Sequence, residues 1–250
     1  MDTEIDSNKL PPVDIYFWIM IITATTLGET AGDLLSMTMK VGYAWSSVIL
    51  IALFAIALSV QLILKSKHRG LFWTVIILTS TAGTTVSDYI TRSLGLGYTQ
   101  GSLLLLAILV AVFGLWRIKA KTLSIESVKT VQVEALYWAA ILFSSTLGTS
   151  LGDFLSDDTG LNLGFGAGTA LLAALLVLIA VLTLFTKMSR VLMFWAAIVV
   201  THPIGACMGD YLTKPKALGF GPLPSTVGLL LLFIVVAATI GYKGRIIDSE

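Results

Sequence analysis

The sequence predicts an all-α integral membrane protein of eight transmembrane helices, arranged as four parallel two-helix repeats about a pseudo-fourfold or pseudo-twofold axis along the membrane normal. Three observations carry this. Hydrophobic residues make up 56% of the 250 positions and charged residues 12%, with a mean hydropathy of +0.90, whereas a soluble domain carries roughly 25% charged residues. Apolar runs fall at residues 15–37, 44–64, 71–91, 101–118, 136–156, 166–186, 190–212 and 225–242, each long enough to span roughly 30 Å of hydrocarbon at about 1.5 Å per residue. A tryptophan stands fifteen residues before an aspartate four times, at Trp18/Asp33, Trp73/Asp88, Trp138/Asp153 and Trp195/Asp210. A recurrence of that period marks a duplicated unit.

Residues 1–250 form a single transmembrane domain on this reading, with repeats at 13–66, 68–120, 134–187 and 190–243. The first fourteen residues carry Asp2, Glu4, Asp6 and Asp14 against Lys9, unlike the basic start of a signal peptide, so the first helix is expected to stay in the chain. Each odd helix carries the motif, read as WIMIITATTLGETAGDLLS, WTVIILTSTAGTTVSDYIT, WAAILFSSTLGTSLGDFLS and WAAIVVTHPIGACMGDYLT. Even helices such as LLLLAILVAVFGLW are aliphatic and predict a lipid-facing outer wall. A repeat of two crossings returns to the same side, so all copies enter in one direction and the motif helices form a parallel inner layer. Small-xxx-small pairs, Gly28/Gly32, Gly83/Ser87, Gly148/Gly152 and Gly205/Gly209, predict close helix approach within that layer. The tryptophans read as an interfacial aromatic belt. The pairs Gly42-Tyr43, Gly97-Tyr98, Gly164-Phe165 and Gly219-Phe220 read as turns into the even helices.

A net charge of +1 carries no signal for nucleic acid. Lys9, Lys65, Lys67, Arg69, Arg117, Lys119, Lys121, Lys129, Lys187, Arg190, Lys243 and Arg245 fall on one side, and Lys40, Arg92, Lys214 and Lys216 on the other. That bias predicts cytoplasmic N- and C-termini. The lone Cys207 excludes an internal disulfide and reads as a small packing residue.

The four aspartates fall at one depth, and ionisable residues inside a membrane span point to function. Helical spacing sets Glu29, Thr84, Thr149 and Ala206 four residues before them, Thr26, Thr81, Thr146 and Pro203 seven before, and Thr30, Thr85, Ser150 and Cys207 three before. His202 accompanies the fourth copy, where a structural hydrogen bond beside Pro203 competes with a role on the pathway. Four residues after each aspartate come Met37, Arg92, Asp157 and Lys214. Arg92 is expected to pair with Asp88 and Lys214 with Asp210, whereas Asp157 joins Asp153 and Glu29 joins Asp33. The first and third copies are therefore expected to hold excess negative charge. Clustered carboxylates repel, so the centre needs protons, basic partners or a bound cation. Oxygen donors favour hard divalent ions, Mn²⁺, Ca²⁺ or Mg²⁺.

The repeated G-x-x-x-[GS]-D helices resemble a family of bacterial, uncharacterised repeat-containing membrane-anchored proteins. That resemblance covers nearly the whole chain and implies this architecture and a bacterial inner-membrane setting. Residues Glu29-Thr30-Ala31-Gly32-Asp33 are similar to the E-x-G-D helices of manganese and calcium exporters, with one extra residue between Glu and Asp and no basic residue after Asp. This narrower likeness implies Mn²⁺ among the hard cations.

The function expected is therefore cation transport, with Glu29, Asp33, Asp88, Asp153 and Asp210 as metal-binding residues and Thr26, Thr30, Thr84, Thr146, Thr149 and His202 along the substrate pathway. The rivals are a channel or carrier for a small organic cation or neutral metabolite, and a non-transporting sensor or scaffold. The expected partners are the lipid bilayer and a small cation, with no other cofactor. The sequence lacks H-E-x-x-H, a P-loop, a nucleotide fingerprint and G-x-S-x-G, and no copy carries both glycines of the intramembrane protease G-x-G-D motif, so enzyme chemistry is not expected.

Overall fold

A computed structural model describes residues 11–64 and 68–247, the side chains of 241–247 excepted. Asp2, Glu4, Asp6, Lys9, Lys65 and Lys67, and the side chains of Lys243 and Arg245, lie outside the described residues. The α-helices are α1 (Ile15–Asp33), α2 (Tyr43–Ile63), α3 (Arg69–Asp88), α4 (Gly97–Ala120), α5 (Val131–Ser156), α6 (Phe165–Phe185), α7 (Arg190–Thr213) and α8 (Pro222–Ile247). Asp14, Thr130 and Ser189 cap α1, α5 and α7 by accepting the amides of Phe17, Val133 and Leu192, which satisfies donors a helix start leaves free. Short π-helical stretches, Leu34–Thr38 and Tyr89–Ser93, follow Asp33 and Asp88.

The odd helices pack as a closed ring, α1 on α3, α3 on α5, α5 on α7 and α7 on α1. The even helices lie outside it, and each covers the odd helix of the next repeat: α2 on α3, α4 on α5, α6 on α7 and α8 on α1. This offset ties every repeat to its successor and closes the last onto the first.

Glycine makes the ring possible. A side chain at Gly28 would run into Ser80, at Gly83 into Ser145, at Gly148 into His202 and at Gly205 into Thr25. One turn later Gly32 faces Thr84, Gly152 faces Ala206 and Gly209 faces Glu29. Each copy thus presses its glycines against the same face of the next, which van der Waals packing rewards where lipid supplies no hydrophobic drive between helices.

The tryptophans pack against neighbouring helices. Trp138 and Trp195 are buried and Trp18 and Trp73 half-buried, because each follows another aromatic and the pairs interlock across the ring. Phe17 meets Trp73 with ring centroids 5.9 Å apart, Phe72 meets Trp138 at 5.3 Å, Tyr137 meets Trp195 at 6.1 Å and Phe194 meets Phe17 at 6.3 Å. Tilted rings at such spacings attract beyond their area burial, so this layer ties each copy to the next.

Six helices, α2, α3, α4, α6, α7 and α8, are long and apolar enough to cross a membrane. The expectation of eight is not matched by α1 and α5, whose threonines, serines and acids lower their hydropathy. Those groups, among them Thr26, Glu29, Thr30 and Asp33 on α1 and Ser144, Thr146, Thr149 and Asp153 on α5, are buried. The exposed apolar surface belongs mainly to the even helices, as their composition predicts. The chain is a multi-pass membrane protein with internal repeats.

The turns into the even helices behave as the sequence predicts. Gly42, Gly97, Gly164 and Gly219 all have positive φ, between 66° and 81°, a region closed to most residues with a Cβ.

Candidate acidic centre

Beyond the glycine contacts, toward the C-terminal ends of the odd helices, the ring becomes acidic. Glu29, Asp33, Asp88, Asp153 and Asp210 are each at most 4% exposed. Glu29 extends from α1, and its Oε2 accepts hydrogen bonds of 3.0 Å from Thr84 on α3 and 3.0 Å from Thr149 on α5. The two threonine oxygens are 3.3 Å apart. The position four residues before the aspartate therefore joins three helices at one carboxylate. Ala206, its equivalent on α7, packs against Gly152 of α5. Glu29, Asp33 and Asp210 each offer an oxygen within a group no wider than 4.8 Å.

The basic residues span neighbours. Arg92 Nε lies 2.8 Å from Asp88, and its Nη2 donates to Asp153 Oδ2 at 2.9 Å. Lys214 Nζ donates to Asp33 Oδ2 at 2.7 Å and lies 3.1 Å from Asp210. Each base reaches its own copy's aspartate and that of the next copy around the ring. All four aspartates thus have a basic partner, two at the α3–α5 seam and two at the α7–α1 seam. This corrects the expectation that the first and third copies keep unpaired charge: a side chain four residues past its aspartate rises to the level where the neighbouring helix presents its own.

Asp157 does not join Asp153. It lies just past α5, where its Oδ1 accepts from the amide and hydroxyl of Thr159 at 3.0 Å and its Oδ2 from Tyr98 at 3.3 Å. The helix ends before this carboxylate completes another turn, so it faces the loop. A cavity of about 290 Å³ there is lined by Asp157, Asp158, Tyr211 and Lys216 among others.

The remaining pathway residues separate by helix face. Thr26 and Thr146 are buried and donate to the carbonyls of Ile22 and Leu142 on their own helices, at 2.8 and 2.9 Å. Thr30 donates to Leu27. Its equivalents contact the outer helices, Ser150 bonding Ser102 of α4 at 2.8 Å and Cys207 lying against Gly168 of α6, so this face looks away from the ring centre. His202 stands two turns before Asp210 in the α5–α7 contact, over Gly148, with Nδ1 2.8 Å from the Ile198 carbonyl and 3.4 Å from Ser144 Oγ. It serves that helix contact, and the pathway assignment does not follow from its position. Cys207 is buried beside Ser156 at 3.1 Å, a packing contact.

Tyr98 went unnoticed in the sequence as a partner of the centre. The Arg92 guanidinium sits 5.8 Å from its ring centroid, a cation–π distance. Its glycine-aromatic position, repeated in every copy, was the available signal.

These features define a class: a repeat-built, multi-pass helical membrane protein whose ring of motif helices encloses acids held by threonines and two bridging bases. The chain belongs to the family described as Repeat of Unknown Function (DUF347), whose profile matches residues 16–67, 71–122, 136–189 and 193–244. No curated protein and no solved structure matches the chain.

Proposed function

We propose that this protein carries a small hard cation across the membrane, with Glu29, Asp33 and Asp210 as the binding group. The supporting observation is the Glu29 carboxylate: it is buried, held by two threonine hydroxyls from other helices, and within 4.8 Å of two further carboxylates. Burying ionised carboxylates together is costly unless a positive partner is present, and oxygen donors of this kind suit Mg²⁺, Ca²⁺ or Mn²⁺. The limited likeness of residues 29–33 to manganese exporters makes Mn²⁺ the first ion to test.

On this reading all eight helices cross the membrane, because the polar faces of α1 and α5 are sheltered by the rest of the ring. The four copies surround an axis along the membrane normal, fourfold in helix packing and twofold in the placement of the two bases. The setting is the bacterial inner membrane with both termini cytoplasmic. Lys214 acts as an internal counter-cation: its ammonium occupies the α7–α1 seam when no ion is bound and withdraws when one arrives. Asp88, Arg92 and Asp153 hold the opposite seam closed. The protein binds and moves an ion and makes or breaks no covalent bond.

The test is ion flux into proteoliposomes. Glu29→Gln and Asp33→Asn are expected to lower Mn²⁺ flux at least tenfold while the protein remains folded by size-exclusion chromatography. Equal flux for wild type and both variants, or no flux of Mn²⁺, Ca²⁺ or Mg²⁺ by wild type, would overturn the reading.

A further inference from the structure

At the end of the bundle opposite the aspartates, about 22 Å away by the helix rise between Trp195 and Asp210, lies a second polar feature. A cavity of about 380 Å³ opens between the end of α4 and the start of α7. Its floor is apolar, built from Phe113, Leu123, Leu192 and Trp195, with the Trp195 indole held by a 2.9 Å hydrogen bond to the Leu123 carbonyl. Its rim is basic: Arg117 and Lys121 line it, and no carboxylate does. Neither base has an ion-pair or hydrogen-bond partner among the described residues. Ser189, which also lines the cavity, caps the first turn of α7, so the positive end of a 24-residue helix dipole adds to the field.

We propose that this cavity binds an anionic phospholipid, its phosphate between Arg117 and Lys121 and an acyl chain along Leu192 and Phe113. Charge selects the phosphate, since two unpaired cations and a helix N-terminus face a space without acids. The surroundings select a lipid over a soluble phosphate. Leu115 and Ile118, beside Arg117, are 55% and 76% exposed, and Leu192 is 57% exposed, so the rim stands in apolar surface suited to acyl chains. Lys121 is held at a left-handed turn, φ 58°, directly after α4, where a headgroup meets the helix end. This site is independent of the acidic centre.

Native mass spectrometry of the full chain with phosphatidylglycerol or phosphatidylcholine tests it. Phosphatidylglycerol should remain bound at activation energies that strip phosphatidylcholine. Arg117→Gln/Lys121→Gln should weaken phosphatidylglycerol binding roughly thirtyfold, on the scale of one basic residue's attraction to anionic lipid taken twice. Leu192→Glu, an exposed change that leaves both bases in place, should weaken it as well. Equal retention of the two lipids, or undiminished phosphatidylglycerol binding by both variants, would overturn the proposal. Full displacement by millimolar inorganic phosphate would also overturn it, by assigning the site to a soluble anion.

Discussion

The two charged seams of the ring have the same plan and different company. At the α3–α5 seam Arg92 joins Asp88 and Asp153, and its guanidinium lies over Tyr98. At the α7–α1 seam Lys214 joins Asp33 and Asp210, and Glu29 adds a third carboxylate. A guanidinium is a planar fork that fixes two carboxylates at once, whereas an ammonium is a point charge on a flexible stem. The first seam is built as a clasp. The second sets three carboxylates against one ammonium, where the first sets two against one guanidinium, and its base is the more flexible of the two. The difference teaches that the four copies are equivalent in packing and unequal in charge, which is why the proposed ion site is placed at one seam.

The sharpest way to break this comparison is to remove each base in turn. Arg92→Gln leaves Asp88 and Asp153 buried without a positive partner and is expected to cost about 3 kcal/mol, read as a lower Tm in detergent that divalent ions do not restore. Lys214→Gln is expected to cost about 3 kcal/mol in chelator and to recover most of that in Mn²⁺ or Ca²⁺ at about a hundred times Kd, where binding contributes about 2.7 kcal/mol. Identical ion responses in the two variants would erase the distinction between the seams. Thr149→Val removes one of the two hydroxyls on Glu29 and should cost about 1.5 kcal/mol, the scale of a hydrogen bond to a charged group, with weaker ion stabilisation as the second readout. Tyr98→Phe keeps the ring over Arg92 and deletes only the bond to Asp157. Its expected loss is about 0.5 kcal/mol, so a larger fall in Tm would mean that the clasp depends on that loop.

Much of the fold was legible because a membrane restricts the choices. The Trp/Asp spacing revealed the repeat, the apolar runs located the helices to within a few residues, and the small-xxx-small pairs marked the inner contacts. Glu29, Thr84 and Thr149 were legible as companions because they share one position of the repeat. Two readings misled. Thr30 was set on the pathway with Thr84 and Thr149, yet the equivalents of Thr30, Ser150 and Cys207, contact the outer helices α4 and α6. Asp157 was placed by extending a helix that stops at Ser156.

Local periodicity alone determined that this chain is a fourfold-repeated helical membrane protein with acids at one level, since helix rise and side-chain direction follow from sequence spacing. Which acids share a base was decided only by the tertiary arrangement. A side chain four residues beyond its aspartate reaches its own carboxylate on any helix, but its second partner is whatever the adjacent helix presents. The closed order α1–α3–α5–α7 brings Asp153 to Arg92 and Asp33 to Lys214.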